Sequence, residues 1–396
     1  MSMLVWNGFV YDARVTREAE TLIRAGMEVR VVCVLTDQRP VAAETTGAGL
    51  QVVRVSRRNR WLTRALLAPR AVVHRLLHLL GVREQAELRA SFARSARWWE
   101  LDRKIAMGLE LLAGNYRMMR AAQKAKPDVV HANDVNTLVP AWLAARLSGA
   151  ILIYDAHEIS ADREGYRGRI WLVRLVEKLF GGYARGRITT TQARADWFAQ
   201  NYGFENMSVV QNRPTFSAVE GSRIRDSLEI PPDQIIVLYQ GGLQWGRGLH
   251  NLVEAVRPLN GVHLVFVGDG RQRHSLEAAA ANVADRIHFV GQVPLADLPH
   301  WTASADIGMQ TLRNTCLNHY TTDSNKLFEY VMGGLAVIAS DFPEIRAIMT
   351  RYDIGILVDP ENVAQIREAI SSLVEDPERR ERYRKNSLNA RMQLDW

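Results

Sequence analysis

The stretch Ser324–Glu344, SNKLFEYVMGGLAVIASDFPE, combines the two patterns from which the fold is built. Its first part has the spacing of an amphipathic helix that carries Lys326 and Glu329. A glycine pair separates that helix from an apolar run that favours a buried strand. A helix followed directly by a buried strand is typical of a parallel sheet whose strands are joined by helices.

The same alternation continues on both sides of this stretch and predicts an α/β fold. A helix is predicted at Thr16–Ala25, with Gly26 ending it. Because 396 residues exceed the usual size of one core, we predict two Rossmann-like domains with parallel sheets facing across a cleft. Pro214 and small polar residues interrupt the pattern, which places the domains at 1–214 and 215–396. The strand-like runs lie at 4–6, 29–35, 128–132, 150–156, 187–191, 235–241, 262–270, 286–291, 305–310, 335–340 and 354–358.

Composition limits the class of protein. The chain is 47% hydrophobic and 23% charged, which is ordinary for a globular protein. Two cysteines, Cys33 and Cys316, are too few for a disulfide scaffold or a structural zinc site and indicate a reducing compartment. The sequence has neither an apolar run of membrane-spanning length nor a secretory leader pattern, so we expect a cytoplasmic protein.

Most of the net charge of +7 lies in one segment. Residues Arg54–Lys104 contain thirteen Lys or Arg against four acidic residues, so the segment carries +9. Its leucine and arginine spacing predicts a basic helical insertion at about 54–110, kinked at Pro69. One hypothesis is peripheral docking on an anionic membrane surface; the other is an apolar stripe packed on the N-terminal domain with solvated arginines. Nucleic acid is not expected as a partner, because aromatic interleaving and a binding motif are absent.

The helix that begins at Ser324 could bind a nucleotide. Its free amino-terminal N–H groups suit a diphosphate, and the Glu329 carboxylate could accept hydrogen bonds from ribose hydroxyls. The alternative is an ordinary amphipathic helix with a solvated Lys326 and Glu329. The residue pattern alone leaves both interpretations open.

Several stretches together resemble one family, the retaining GT-B glycosyltransferases of family 4, also called glycosyl transferases group 1. The resemblance covers almost the whole chain and rests on the order of its motifs. It implies transfer of a sugar from a nucleotide-sugar donor to a glycan, lipid-linked or small-molecule acceptor, with retention of configuration. UDP is the commonest donor nucleotide in the family, and GDP is the main alternative. Besides Ser324–Glu344, the matching stretches are DARVTREAETLIRAGMEVRVV, KPDVVHANDVNTL, ILIYDAHE, QGGLQWGRGLHNLVEA and FVGDG.

The resemblance assigns donor-side residues. Glu329 matches the second glutamate of the family's E-x7-E motif, whereas Thr321 stands at the first, with Asp323 nearby but out of register. Arg247 and Lys326 are identified as the diphosphate cations, and Gly242 replaces an arginine that the family commonly has. The remaining donor-side positions are Ser324, Asn325, Gly241, Gly268 and Val290.

Polar residues after the strand ends of the first domain form the expected acceptor side. By the resemblance, His157 is the first choice for the histidine near the reacting sugar, and His131 is the second; either could instead be structural. No metal site is expected, since these residues lack metal-ligand spacing and the chain has no D-x-D tripeptide. Cations of the protein would then stabilise the departing diphosphate. The other acceptor-side residues are Asp134, Glu158, Asp12 and Arg14, of which Asp12 could equally cap a helix.

Other functions fit less well. A nicotinamide dehydrogenase is disfavoured because WNGFVYDAR, rather than G-x-G-x-x-G, follows the first strand. A GT-B-like nucleotide-sugar epimerase and a non-catalytic glycosyltransferase-like subunit remain alternatives. We expect no cofactor, with the nucleotide-sugar as substrate. Family members usually continue beyond a tryptophan like Trp396 into another helix, so we also expect a shortened tail.

Overall fold

The computed structural model describes residues 1–10, 12–57, 105, 107–166, 168–219 and 221–396. The chain folds into two compact units. The first unit comprises Met1–Ala161 and Tyr166–Ile188, and the second comprises Asp162–Gly165 and Thr189–Trp396. Residues 212–219, in the predicted linker, contain no helix or strand.

Strands and helices alternate along the first part of the chain, as predicted. The strands are β1 (Ser2–Leu4), β2 (Arg30–Val34), β3 (Ala43–Thr45), β4 (Gln51–Val55), β5 (Val129–Asn133), β6 (Ile151–Ala156), β7 (Gly186–Thr189) and β8 (Ser208–Val209). The helices are α1 (Ala13–Arg24), α2 (107–124), α3 (Val135–Ser148), α4 (Ile170–Gly182) and α5 (Gln192–Tyr202), with short 3-10 turns at Ser160–Asp162 and Glu164–Tyr166.

The rest of the chain repeats the alternation. Its strands are β9 (Ile235–Gln240), β10 (Val262–Val267), β11 (Ile287–Gly291), β12 (Ile307–Gln310), β13 (Ala336–Ser340) and β14 (Gly355–Val358). Its helices are α6 (Arg223–Leu228), α7 (Leu249–Val256), α8 (Arg273–Ala280), α9 (Leu298–Ala303), α10 (Leu317–Tyr320), α11 (Asn325–Met332), α12 (Pro343–Tyr352), α13 (Val363–Glu375) and α14 (Pro377–Leu394), with a 3-10 turn at Ala281–Val283.

Both sheets have the doubly wound order. The sheet of six strands runs β11-β10-β9-β12-β13-β14, with every neighbouring pair parallel. The sheet of eight strands runs β3-β4-β2-β1-β5-β6-β7-β8, in which β3 pairs antiparallel with β4. Strand order reverses beside β9 and beside β1, and ligands of such sheets bind at the carboxyl ends next to that reversal. The predicted α/β class with two Rossmann-like parallel sheets is therefore confirmed.

The two buried faces of β9 explain why the strand-forming runs in the sequence are apolar at every position. Val237 and Tyr239 enter one hydrophobic cluster, whereas Ile236 and Leu238 enter the cluster on the opposite face of the sheet. A strand covered on both faces needs apolar side chains at every position. Helices on both faces of the sheet follow from the same requirement.

Three details differ from the sequence prediction. Strand β1 begins at Ser2 rather than Leu4. Helix α1 begins at Ala13 rather than Thr16, because the Asp12 carboxylate accepts a hydrogen bond from the Val15 amide (3.2 Å). Strands β3 and β4 were not predicted, and β4 occupies the first two residues of the predicted insertion. Residues 107–110 at its other end are helical, but 58–104 lie outside the described residues.

Candidate functional site

Gly241 lies at the carboxyl end of β9, beside the reversal of strand order. Its φ of +120° falls in a region that L side chains rarely adopt. A Cβ atom at this position would lie 2.8 Å from Cε of Lys326. Glycine therefore allows the Lys326 side chain to cross the end of the strand.

Two further glycines bring the following turns close to this point. A Cβ on Gly268 (φ +138°) would lie 2.1 Å from the carbonyl oxygen of Gly241, and one on Gly270 would lie 2.3 Å from that of Leu243. The Leu243 amide donates a hydrogen bond to the carbonyl oxygen of Asp269 (3.0 Å). The turns after β9 and β10 thus pack backbone against backbone, which places exposed Gly242 at the edge of the site.

Two basic side chains, Lys326 and Arg247, lie at this edge. Lys326 is half-buried, and its Nζ lies 5.2 Å from the centroid of the Tyr239 ring. Burial, together with the nearby Arg247 guanidinium, lowers the pKa of Lys326 to about 7. Within the described part of the chain, neither Lys326 nor Arg247 forms a side-chain hydrogen bond or a salt bridge. The edge therefore carries two basic side chains that no salt bridge holds, with the Glu329 carboxylate acting on Lys326 only through space.

Glu329 is held on the same edge by the end of β9. The Gln240 side chain donates from Nε2 to Glu329 Oε2 (2.5 Å) and accepts from the Thr302 hydroxyl (2.7 Å). The backbone N–H of Gln240 donates to the Tyr330 hydroxyl (3.2 Å), and this hydroxyl donates to the backbone carbonyl of Met309 (3.0 Å). These bonds fix a half-buried carboxylate in position near Lys326.

The amino terminus of α11 has an unusual backbone conformation. Ser324 adopts φ +58° and ψ 118°, and its hydroxyl does not cap the helix. Its amide donates to the Thr322 hydroxyl (3.1 Å). Asn325, the first residue of α11, is exposed. Val290 belongs to β11, the strand beyond β10, and is half-buried against the core.

Thr321 and Asp323, near the missing glutamate of the motif, bond within the second unit. The buried Thr321 hydroxyl donates to the carbonyl of Leu317 (2.8 Å) and accepts from Arg194 Nε (3.3 Å). Asp323 is also buried and accepts a hydrogen bond from Gln211 Nε2 (2.9 Å). Burial raises the pKa of Asp323 to about 6. Neither residue is left with an exposed polar group that could replace the glutamate.

In the first unit, the expected acceptor-side residues surround a buried carboxylate, Asp155. Arg14 Nη2 lies 2.8 Å from Asp155 Oδ2, and Arg14 Nε lies 3.0 Å from Glu18 Oε1. Burial alone would raise the pKa of Asp155, but His157 and Arg14 hold it well below its usual range. Burial and Asp155 raise the pKa of Glu18 to about 8 despite Arg14.

His157 lies between two carboxylates. Its Nε2 is 3.3 Å from Asp155 Oδ2, and its Nδ1 is 3.8 Å from Asp134 Oδ2. Its backbone amide also donates to Asp134 Oδ1 (3.2 Å). Burial alone would lower the pKa of His157, but Asp134 and Asp155 raise it to about 9. His157 is therefore an imidazolium near neutral pH, and about a fifth of its side chain is exposed.

His131 differs from His157 in its protonation state. It is buried, and burial lowers its pKa to about 4. Ligand atoms of Glu18, His131 and Asp155 lie within 4.8 Å of one another, which is close enough to hold a metal ion. However, the Arg14 guanidinium and the His157 imidazolium already neutralise Asp155, and they would repel a divalent cation. These residues do not fit a metal, and none is assigned to them.

The structure thus gathers Arg14, His131, Asp134 and His157 around Asp155, and it places Asp12 apart as the cap of α1. Asn7 Nδ2 donates to Asp12 (2.7 Å), and Glu158 is half-buried after β6. Sequence reasoning missed Glu18 and Asp155. The spacing of Arg14 and Glu18, four residues apart on one helix face, was the available signal.

Comparison with known proteins agrees with the fold. Residues 221–390 match the model of the glycosyl transferases group 1, and residues 11–213 match a glycosyl transferase 4-like domain. Glycogen synthase of Mycobacterium tuberculosis (strain CDC 1551 / Oshkosh) is 23% identical over 319 residues, which cover 74% of this chain and 72% of that protein.

Two solved structures are similar over the full length of this chain. Sucrose-phosphate synthase from Thermosynechococcus elongatus has a TM-score of 0.75 at 17% identity, with 94% of that chain covered. HepE of Anabaena in complex with UDP-glucose has a TM-score of 0.70 at 17% identity, with 95% of that chain covered. At these identities the structures show the fold alone.

The two parallel-sheet units and these matches define a GT-B glycosyltransferase. The chain belongs to the glycosyl transferases group 1 family, and it is an enzyme of the hexosyltransferase type. Over the described ranges, every helix is too short or too polar to cross a membrane.

Proposed function

We propose that the enzyme transfers a hexosyl group from a UDP-linked donor to a glycan or lipid-linked acceptor, with retention of configuration and without a metal ion. UDP-glucose in the structurally similar HepE supports the donor class. The resemblance to a retaining family supports the stereochemistry.

One observation carries the donor proposal: Lys326 and Arg247 lie at the carboxyl edge of β9, and in the described ranges neither forms a hydrogen bond or a salt bridge through its side chain. A diphosphate supplies the missing negative charge, and its oxygens accept charge-assisted hydrogen bonds from both side chains. When the glycosidic bond to the diphosphate breaks, negative charge grows on the departing oxygen. The same two cations stabilise that charge, which is the contribution that a metal ion makes in other transferases.

Glu329 is proposed to bind the ribose of the donor. Its carboxylate accepts a hydrogen bond from Gln240, and a carboxylate has about four lone-pair sites, so it can accept from two vicinal hydroxyls as well. Gly241, Gly242 and Gly268 keep side chains away from the diphosphate, and the backbone of Val290 lies next to the base. The amide groups at Ser324 and Asn325 face the donor in this proposal.

In the first unit, His157 is proposed as the residue nearest the reacting sugar. As an imidazolium it is a hydrogen-bond donor, and Asp155 and Asp134 fix its orientation. Arg14 and His131 act through Asp155, so they are positioning residues. Glu158 and Asp134 are the remaining candidates for acceptor contacts.

Calorimetric binding of UDP-glucose to Glu329→Ala tests the donor site. Loss of a charge-assisted hydrogen bond costs about 1.5 to 3 kcal/mol, so we expect affinity to fall roughly 10- to 100-fold. The matched control is Glu368→Ala, which removes an exposed glutamate of α13 in the same unit. Unchanged affinity in Glu329→Ala would show that the donor site is assigned wrongly.

Turnover distinguishes the proposed transfer from the alternatives. We expect UDP release that depends on an added acceptor, unaffected by a chelator, and an α-linked product from an α-linked donor by NMR. An epimerase would isomerise the donor without acceptor. Donor binding without turnover over a panel of acceptors would favour a non-catalytic subunit.

A further inference from the structure

The solvent side of α4 is apolar, opposite to the usual pattern of a surface helix. Trp171, Leu175 and Leu179 follow one another at intervals of four residues, so they share one face. Their exposed fractions are 69%, 55% and 48%. Val173 and Glu177 lie on the other side of the helix and are buried. The apolar stripe therefore points away from the core of the first unit.

Neighbouring residues widen this stripe into a patch. Leu172 and Tyr183 are exposed beside it, and Leu143 and Leu147 of the adjoining α3 are exposed as well. Trp142 of α3 contacts the Phe180 and Tyr183 rings, with ring centroids 5.0 and 5.8 Å apart. Exposed apolar side chains gathered on two packed helices mark an interaction site. We call it the α4 patch: Trp171, Leu172, Leu175, Leu179, Tyr183, Leu143 and Leu147.

The charges around the α4 patch have one sign. Between residues 168 and 188 the only acidic residue is Glu177, which is buried and accepts a hydrogen bond from the Tyr154 hydroxyl (2.5 Å). Five exposed cations lie on α4, on the carboxyl-terminal part of α3 and on the segments next to α4. They are Arg146, Arg169, Arg174, Lys178 and Arg185.

We propose that the α4 patch docks the enzyme on an anionic lipid bilayer, with its apolar side chains in the headgroup region and its cations against lipid phosphates. Apolar residues flanked by Lys and Arg, with tryptophan at the boundary, match the chemistry of that interface. Charge complementarity favours this occupant over two others. A second copy of the chain would bring the same cations face to face, and they would repel each other. The segment Arg54–Lys104 of this chain carries +9, so it would be repelled by the patch for the same reason.

The test is co-sedimentation of the full chain with vesicles of phosphatidylcholine alone or mixed with phosphatidylglycerol. Binding is expected to the mixed vesicles and to weaken with salt. Each cation near an anionic surface contributes roughly fivefold to partitioning, so Arg174→Gln with Lys178→Gln should lower the partition coefficient about 25-fold. The matched control is Arg120→Gln with Lys124→Gln, an exposed pair with the same spacing on α2.

A second pair of variants tests the apolar contribution. Trp171→Ser with Leu175→Ser and Leu179→Ser should abolish binding, whereas Leu295→Ser with Met392→Ser, exposed residues of the second unit, should leave it unchanged. Circular dichroism and thermal melting confirm that each variant is folded. Calorimetric binding of UDP-glucose, measured separately, keeps failure of this proposal distinct from failure of the donor site.

Three results would overturn the proposal. Recovery of the wild-type chain in the supernatant with both vesicle types would exclude lipid binding. Retained binding by both α4 variants would place the anchor elsewhere, as in the segment Arg54–Lys104. A concentration-dependent dimer that only the serine variant abolishes would make a second copy of the chain the occupant.

Discussion

If Lys326 binds the diphosphate as proposed, its depressed pKa is expected to make donor binding depend on pH. With a pKa of about 7, roughly 1% of Lys326 is protonated in the free enzyme at about pH 9, whereas most of it is protonated at about pH 6. A bound diphosphate raises this pKa again because it stabilises the cation. Affinity for UDP-glucose should therefore fall as pH rises through 7. Between about pH 7 and about pH 9, protonating Lys326 on binding costs up to about 2.7 kcal/mol, which is within the range of one charge-assisted hydrogen bond. The expected loss of affinity is therefore on the order of 10- to 100-fold.

Titration calorimetry with wild type and Lys326→Arg measures this effect. The diphosphate of UDP-glucose is fully ionised throughout this range, so the ligand itself does not titrate. The arginine variant keeps a cation that does not deprotonate, and its affinity should be independent of pH. For the wild type near pH 7, buffers of different ionisation enthalpy should reveal uptake of about half a proton per bound ligand. A flat profile for the wild type, or the same slope in Lys326→Arg, would refute the assignment of Lys326 to the diphosphate.

Two other substitutions test local geometry. Gly241→Ala should reduce donor affinity at least about tenfold because its Cβ would displace Lys326, whereas Gly261→Ala, also at positive φ but with no atom within 4 Å, should leave binding unchanged in calorimetry. Equal affinities for the two variants would contradict the crowding argument. Folding raises the pKa of Glu18 from about 4.5 to about 8, so its contribution to stability is full below about pH 4.5 and is lost as pH rises through about 8. Glutamine stays neutral, so the melting temperature of Glu18→Gln minus that of wild type should increase between about pH 5 and pH 8. Exposed Glu368→Gln is the control, and a difference that shrinks with pH would show that the sign is wrong.

The sequence predicts the sheets because burial on both faces leaves a local signal. In β13 every residue from Ala336 to Ser340 is buried, and the run is apolar apart from its end. Strand β4 lacks that signal because Arg54 interrupts it. This arginine is buried and paired with Glu44 of β3 (2.5 Å), so a charged residue occupies an inward position. A pairing between two strands cannot be read from either strand alone.

Some residues of the candidate site also have a local sequence signal, whereas others are brought in only by long-range contacts. Lys326 and Glu329 belong to one helix whose pattern is visible, and resemblance to a family singles them out. Gln240, which holds Glu329, is 89 residues away in sequence and has no local signal. Asp155 is similar: it looks like the end of an apolar strand, and only the folded sheet brings α1 and β5 next to it. Long-range contacts decide the electrostatics, whereas local patterns decide the elements.

The two units have the same strand order at their reversal points, but their charged residues are paired differently. In the first unit, the carboxylates of Asp155 and Asp134 offset the charges of Arg14 and His157. Internal pairing of this kind fixes the position and protonation of His157, but it leaves little net charge for an ionic ligand. In the second unit, the Glu329 carboxylate acts on Lys326, and neither Lys326 nor Arg247 forms a salt bridge within the described residues. Because desolvating an unpaired cation is costly, a site that keeps two of them is suited to an anion. This difference supports our proposal that the diphosphate binds in the second unit and a neutral, hydroxyl-bearing acceptor in the first.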